Sequence, residues 1–153
     1  MDVKYINPFL SSVFNIIPQF GIANIKKNKI SVRGRQLHSS GVMIILGIIG
    51  DVRGNVIYST SVECAKMIAS AMMMGAPVNE LDELAQSAIS ELTNMLTATA
   101  ATGFYSEGIN INISTPTLMY GEFTANTNSD KTICIEMLIN ELPFDINISF
   151  EKM

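Results

Sequence analysis

Ser87, Glu91 and Asn94 follow one another at steps of four and three residues, in a stretch that reads as a helix from a cap at Asn79 to about Ala100. At 100° per residue these three side chains fall within ~60° of one another. One helix face then presents a hydroxyl, a carboxylate and a carboxamide in successive turns. A carboxylate can pair with a cation. A carboxamide can accept from and donate to one water without changing its charge. Ala98 continues the face one turn later, and so small a side chain lets another surface approach closely. Taken singly, Glu91 reads as an ordinary solvated charge. Asn94 is less ordinary, since Asn in mid-helix costs about 0.5 kcal/mol relative to Ala. The spacing alone is a weak signal, because Glu107 to Asn110 repeats it on a predicted strand.

The rest of the chain must position that ridge. Glu80, Asp82 and Glu83 stand in the first turn, where the helix dipole favours acids. Leu84, Ala88, Leu92 and Met95, flanked by Ala85 and Leu96, form the apolar stripe expected to face a sheet. Asn7-Pro8 starts an earlier helix, Phe9 to Ile17, with Leu10, Val13, Phe14 and Ile17 as its apolar set. A Lys-rich turn and weak strand follow, Asn24 to Ser31. Val42 to Gly50 is a β-branched run suited to a central strand covered on both faces. Asp51 to Asn55 has turn chemistry, and Val56 to Ser59 returns as its hairpin partner. Thr60 or Ser61 caps a second helix, Val62 to Met74, closed by Gly75. Its Met72-Met73-Met74 run reads as adaptable core filling. Ile109 to Ser114, Thr132 to Ile139 and Phe144 to Phe150 read as strands. Thr115-Pro116 interrupts the first of these, Asn126 to Asp130 is a polar loop, and Asn140 to Pro143 joins the last two. The order predicts an α+β two-layer sandwich, with helices packed on a mostly antiparallel sheet.

Bulk properties narrow the function classes. The 153 residues, 48% hydrophobic and 16% charged, suit one domain spanning 1–153. A net charge of −4 and only ten Lys and Arg argue against nucleic-acid binding. The longest apolar run, Val42 to Ile49, is too short for a membrane span, and the start carries no basic region followed by an apolar block. A cytoplasmic protein with reduced thiols at Cys64 and Cys134 is the expectation. The one histidine, His38, reads as a surface or satisfied residue, so no metal site of the chain's own is expected. There is no Gly-Lys-Ser/Thr phosphate loop and no Gly-x-Ser-x-Gly elbow, and Gly47, Gly50 and Gly54 lack the dinucleotide spacing.

Ser87-Ala88-Ile89-Ser90-Glu91-Leu92-Thr93-Asn94, with Pro116 downstream, resembles the signature of the CheC/CheX/FliY chemotaxis phosphatases. That signature is a Ser or Asp, a Glu four later, an Asn three after that, and a Pro, which here comes one residue early. Leu81 to Ile89, Ser70 to Met73, the hairpin at Gly50 to Tyr58 and Thr115-Pro116-Thr117 also look CheX-like, and the likeness runs from Asn7 to about Phe150. CheC and FliY relatives carry a second site on the first helix. Here that helix has Asn15 but no Glu, which points to the single-site CheX group.

The resemblance implies a CheC-like fold and a phosphorylated CheY-type response regulator as substrate. The receiver brings its own Mg²⁺ and Lys, so the chain needs no cofactor. Asn94 would orient the attacking water, Glu91 would pair with the receiver's Lys, and Ser87, Ala98 and Pro116 would shape the docking site. A homodimer through sheet strands is implied as well, for which Thr132 to Phe150 could offer an edge. Two other readings stay open: a receiver-binding module without turnover, or a structural dimer domain with a merely solvated ridge. Thr93 stands where Gly is often found, and would favour the first if it crowded the docking surface.

Overall fold

The computed structural model describes residues 3–39, 41–127 and 131–151. Helix α1 (Asn7–Ile16) is followed by a short 3-10 turn, then strands β1 (Ile25–Arg33), β2 (Gln36–His38), β3 (Gly41–Gly50) and β4 (Arg53–Ser61). Helices α2 (Val62–Met72) and α3 (Glu83–Ser106) come next, then β5 (Ile111–Ile113), β6 (Thr117–Gly121), β7 (Thr124–Asn126), β8 (Thr132–Ile139) and β9 (Leu142–Glu151). The main sheet runs β1-β8-β9-β4-β3-β5, with β6 also paired to β3, and every pairing is antiparallel. The fold is thus the predicted α+β sandwich.

Alternation along the central strands sets the layers. Ile44 lies opposite Tyr58, and Ile135 opposite Ile146, all on the face that the helices cover. Phe9, Val13 and Ile17 from α1, Ile68 from α2 and Ile89, Leu92 and Leu96 from α3 are buried against it. Phe14 is not part of this set and is 43% exposed. The opposite face carries a smaller cluster, Leu37, Met43 and Ile57, under the β2–β7 ribbon.

Several boundaries differ from expectation. The weak strand at Asn24 to Ser31 is a nine-residue edge strand, β1, and the turn before β4 contracts because Arg53 to Asn55 pair with β9. Strands β2, β6 and β7 were not expected; Asn126 belongs to β7, and residues 128–130 of the predicted loop lie outside the described residues. Residues Asn140 and Glu141 alone make the β8–β9 turn, both with positive φ as a two-residue hairpin turn requires. The C-terminal strands are interior to the sheet and offer no edge for pairing. Met74 is not core filling but 97% exposed, while Met72 and Met73 pack against the core.

Candidate functional site

Helix α3 starts later and ends later than its sequence suggests. Asp82, not Asn79, occupies the cap: its carboxylate accepts the Ala85 N–H at 2.9 Å. Gly103 lies inside the helix. It lets α1 approach, because a Cβ there would stand 3.1 Å from the Pro8 Cβ. The helix stops at Ser106, before Gly108 with φ of +79°.

The buried stripe of α3 is Ala85, Ile89, Leu92, Thr93, Leu96, Thr97, Ala100 and Phe104. It is rotated by roughly a third of a turn from the expected Leu84/Ala88/Leu92/Met95 stripe. Leu84 is 67% exposed, whereas Thr93 and Thr97 are wholly buried. The rotation puts the buried stripe nearly diametrically opposite the polar ridge. Ser87, Glu91 and Ala98 are exposed, and Asn94 is half-buried.

Ser87, Glu91 and Asn94 line one open groove of about 570 Å³, together with Glu83, Gln86 and Ser90 of the same helix. Its other wall is Thr115, Pro116 and Leu118. That wall is pinned to the sheet where β5 gives way to β6 along β3. Gly47 N–H donates to Ser114 Oγ at 2.7 Å, and Ser114 N–H donates to the Gly47 carbonyl at 3.0 Å. So four of the five sequence-derived site residues meet in one groove, while Ala98 continues the ridge outside it. Glu83, Gln86 and Ser90 lie on the same helical wheel and could have been read from it; which side of the ridge carries the wall depends on the β3–β6 pairing.

Among the described residues, no hydrogen bond or ion pair occupies the Glu91 carboxylate or the Asn94 carboxamide. Thr93 does not crowd this surface. Its side chain points inward, and its hydroxyl donates to the Ser90 carbonyl at 2.8 Å.

The remaining reactive groups lie elsewhere. Cys64 and Cys134 are buried free thiols, pushed up to about 11 and about 12 mainly by desolvation, which makes them packing residues rather than nucleophiles. His38 is exposed on β2, with Nδ1 2.8 Å from Thr124 Oγ1. Among the described residues, no group of three or more His, Cys, Asp or Glu could hold a metal ion, and no helix is long and apolar enough to cross a membrane.

Comparison with known proteins identifies the family and the fold. Residues 42–138 match the model of the family described as chemotaxis phosphatase CheX. The CheY-P phosphatase CheX of Thermotoga maritima is 36% identical over 121 residues, 79% of this chain and 78% of the relative. A CheC-like superfamily protein from Shewanella superposes with a TM-score of 0.89 at 26% identity, covering 99% of this chain and all of that one. The CheX of a CheX–CheY–BeF3–Mg²⁺ complex from Borrelia burgdorferi superposes with a TM-score of 0.81 at 20% identity, covering 99% of this chain and 100% of that chain, which is a likeness of fold.

Proposed function

The chain belongs to the chemotaxis phosphatase CheX family, and from that premise we propose that it hydrolyses the aspartyl phosphate of a CheY-type response regulator. One observation carries the reading: Glu91 and Asn94 stand unengaged on the outward ridge of a helix whose opposite face is locked into the core. Phosphoryl transfer of this kind needs positioning and charge stabilisation more than covalent chemistry from the enzyme. The receiver supplies Mg²⁺ and a Lys beside its phosphoryl group. It lacks a well-held water.

Asn94 provides that hold. Its amide nitrogen and oxygen direct one water toward phosphorus, in line with the leaving carboxylate, while the carboxamide keeps its charge and protonation throughout. It acts by orientation and not as a base. Glu91, one turn earlier, pairs with the receiver's Lys and so sets the register at which Asn94 enters. Desolvation on docking makes that pair matter more than an exposed one. Ser87 and Pro116 shape the two walls of the groove, and Ala98 allows the receiver to lie close along the helix. The chain acts as one cytoplasmic domain. A homodimer formed through sheet strands would use β1 or the β6 side, the two edges of the main sheet.

Phosphate release from phosphorylated receivers, measured with and without the chain, tests the proposal. The chain should shorten the phosphoryl lifetime of its cognate receiver at substoichiometric concentration. Tight binding with an unchanged lifetime would reduce it to a docking module.

A further inference from the structure

A line of buried hydroxyls runs from the sheet into the turn that bears Asn94. Thr97 Oγ1 lies 2.7 Å from the Thr93 carbonyl, which can only accept, so the Thr97 hydroxyl donates there. The Tyr58 hydroxyl, 2.8 Å from Thr97 Oγ1, must therefore be the donor to Thr97. Thr93 Oγ1 in turn donates to the Ser90 carbonyl at 2.8 Å. In an α-helix that carbonyl is also the acceptor for the backbone N–H of residue 94. Tyr58 sits on β4, is 1% exposed, and its ring packs 5.9 Å from that of Phe144. Desolvation raises its hydroxyl well above the ordinary range, so it remains a donor.

An apolar residue at 93 or 97 would fill the same core space without needing a partner. Back-bonded Thr hydroxyls on one face bend a helix locally. Here two of them fall in the turns that bear Glu91, Asn94 and Ala98. We propose that Tyr58, Thr97 and Thr93 are positioning residues for the reaction: they tie the Asn94 turn to β4 and fix the pitch at which the carboxamide meets the water. This rests on the role given to Asn94 above.

The test uses the full chain and a CheY-type receiver phosphorylated from acetyl phosphate, with affinity read separately on the beryllofluoride-loaded, Mg²⁺-bound receiver. Tyr58→Phe keeps the ring and removes only the donor. Thr97→Val removes both hydroxyl bonds. Each should lower kcat by about fivefold to tenfold, since small displacements of an orienting group are costly. KM and receiver affinity should stay within about twofold, because Glu91 and the ridge surface are untouched. Thr97→Ser, which retains both bonds, should restore kcat. If Thr97→Val does not fold, Tyr58→Phe alone decides. Unchanged kcat in Tyr58→Phe, or kcat and affinity falling together, would overturn the inference. Asn94→Ala in the same assay separates the two levels. If it abolishes turnover while Tyr58→Phe does not slow it, only the positioning line fails; if it leaves turnover intact, the role of Asn94 fails and the positioning line with it; if the unaltered chain itself does not speed decay, the underlying function fails.

Discussion

Grooves lie on two sides of α3, and they differ in where a carboxylate–amide pair can stand. The groove beside Pro116 has a volume of about 570 Å³; the groove between α1 and α3 has about 560 Å³. Both are open and rich in polar side chains. The second even carries an exposed amide, Asn15, on α1. Yet the residue three before Asn15 is Ser12, which is wholly buried and donates to the Phe9 carbonyl at 2.6 Å. On α3 the residue three before Asn94 is Glu91, which points to solvent. Volume and polarity therefore do not distinguish the grooves. What does is the phase of the carboxylate–amide pair relative to the helix's buried face. Helix α1 is rotated so that its equivalent carboxylate position belongs to the core.

That contrast can be attacked from both sides. The largest effect should come from forcing the missing acid onto α1. Ser12→Glu buries an unpaired carboxylate and should cost more than about 3 kcal/mol of stability without creating a second site. Thermal unfolding checks the first part, and added turnover in an Asn94→Ala background would refute the second. Next comes Glu91→Lys, which sets like charges together at the docking surface. Receiver affinity should fall about tenfold, or ~1.4 kcal/mol, in a titration at low salt, with a smaller deficit at high salt. Unchanged affinity would remove Glu91 from the interface.

Asp145 provides a smaller control that touches neither groove. Burial pushes its carboxyl up to about 6, against the nearby Arg33 guanidinium at 3.5 Å. A carboxyl raised in the folded state favours folding below its unfolded value, near 3.9, and loses that contribution as pH rises through about 6. Asp145→Asn should therefore melt higher than wild type above pH 6, by under about 1 kcal/mol given solvent screening, and match it below pH 4. Turnover should not follow that curve. The smallest effect is Asn15→Ala, which should leave phosphate release within about twofold of wild type. A large loss there would mean that the α1 groove also takes part.

The ridge was legible in the sequence because four residues at helical spacing define a face whatever the helix packs against. The buried face was not. Leu84 is apolar yet exposed, and Thr93 and Thr97 are polar yet buried, because Tyr58 reaches Thr97 from a strand 39 residues earlier. Side-chain type alone cannot report a partner so distant in sequence. The central strands announced themselves by β-branched runs. Strands β2 and β7, three residues each, are too short to show a period. The interior position of β8 and β9 is likewise a non-local fact: it follows from Lys-rich β1, which pairs outside β8 although it lies at the other end of the chain.

The most direct test removes one carboxamide. Wild type and Asn94→Ala are each mixed in excess with phosphorylated receiver, and the single-turnover decay of the acyl phosphate is followed beside the affinity for its beryllofluoride form. A water held by Asn94 requires decay in the variant to slow by at least about 100-fold, toward the receiver's unaided rate, with affinity unchanged within about twofold. Decay at the wild-type rate would contradict it.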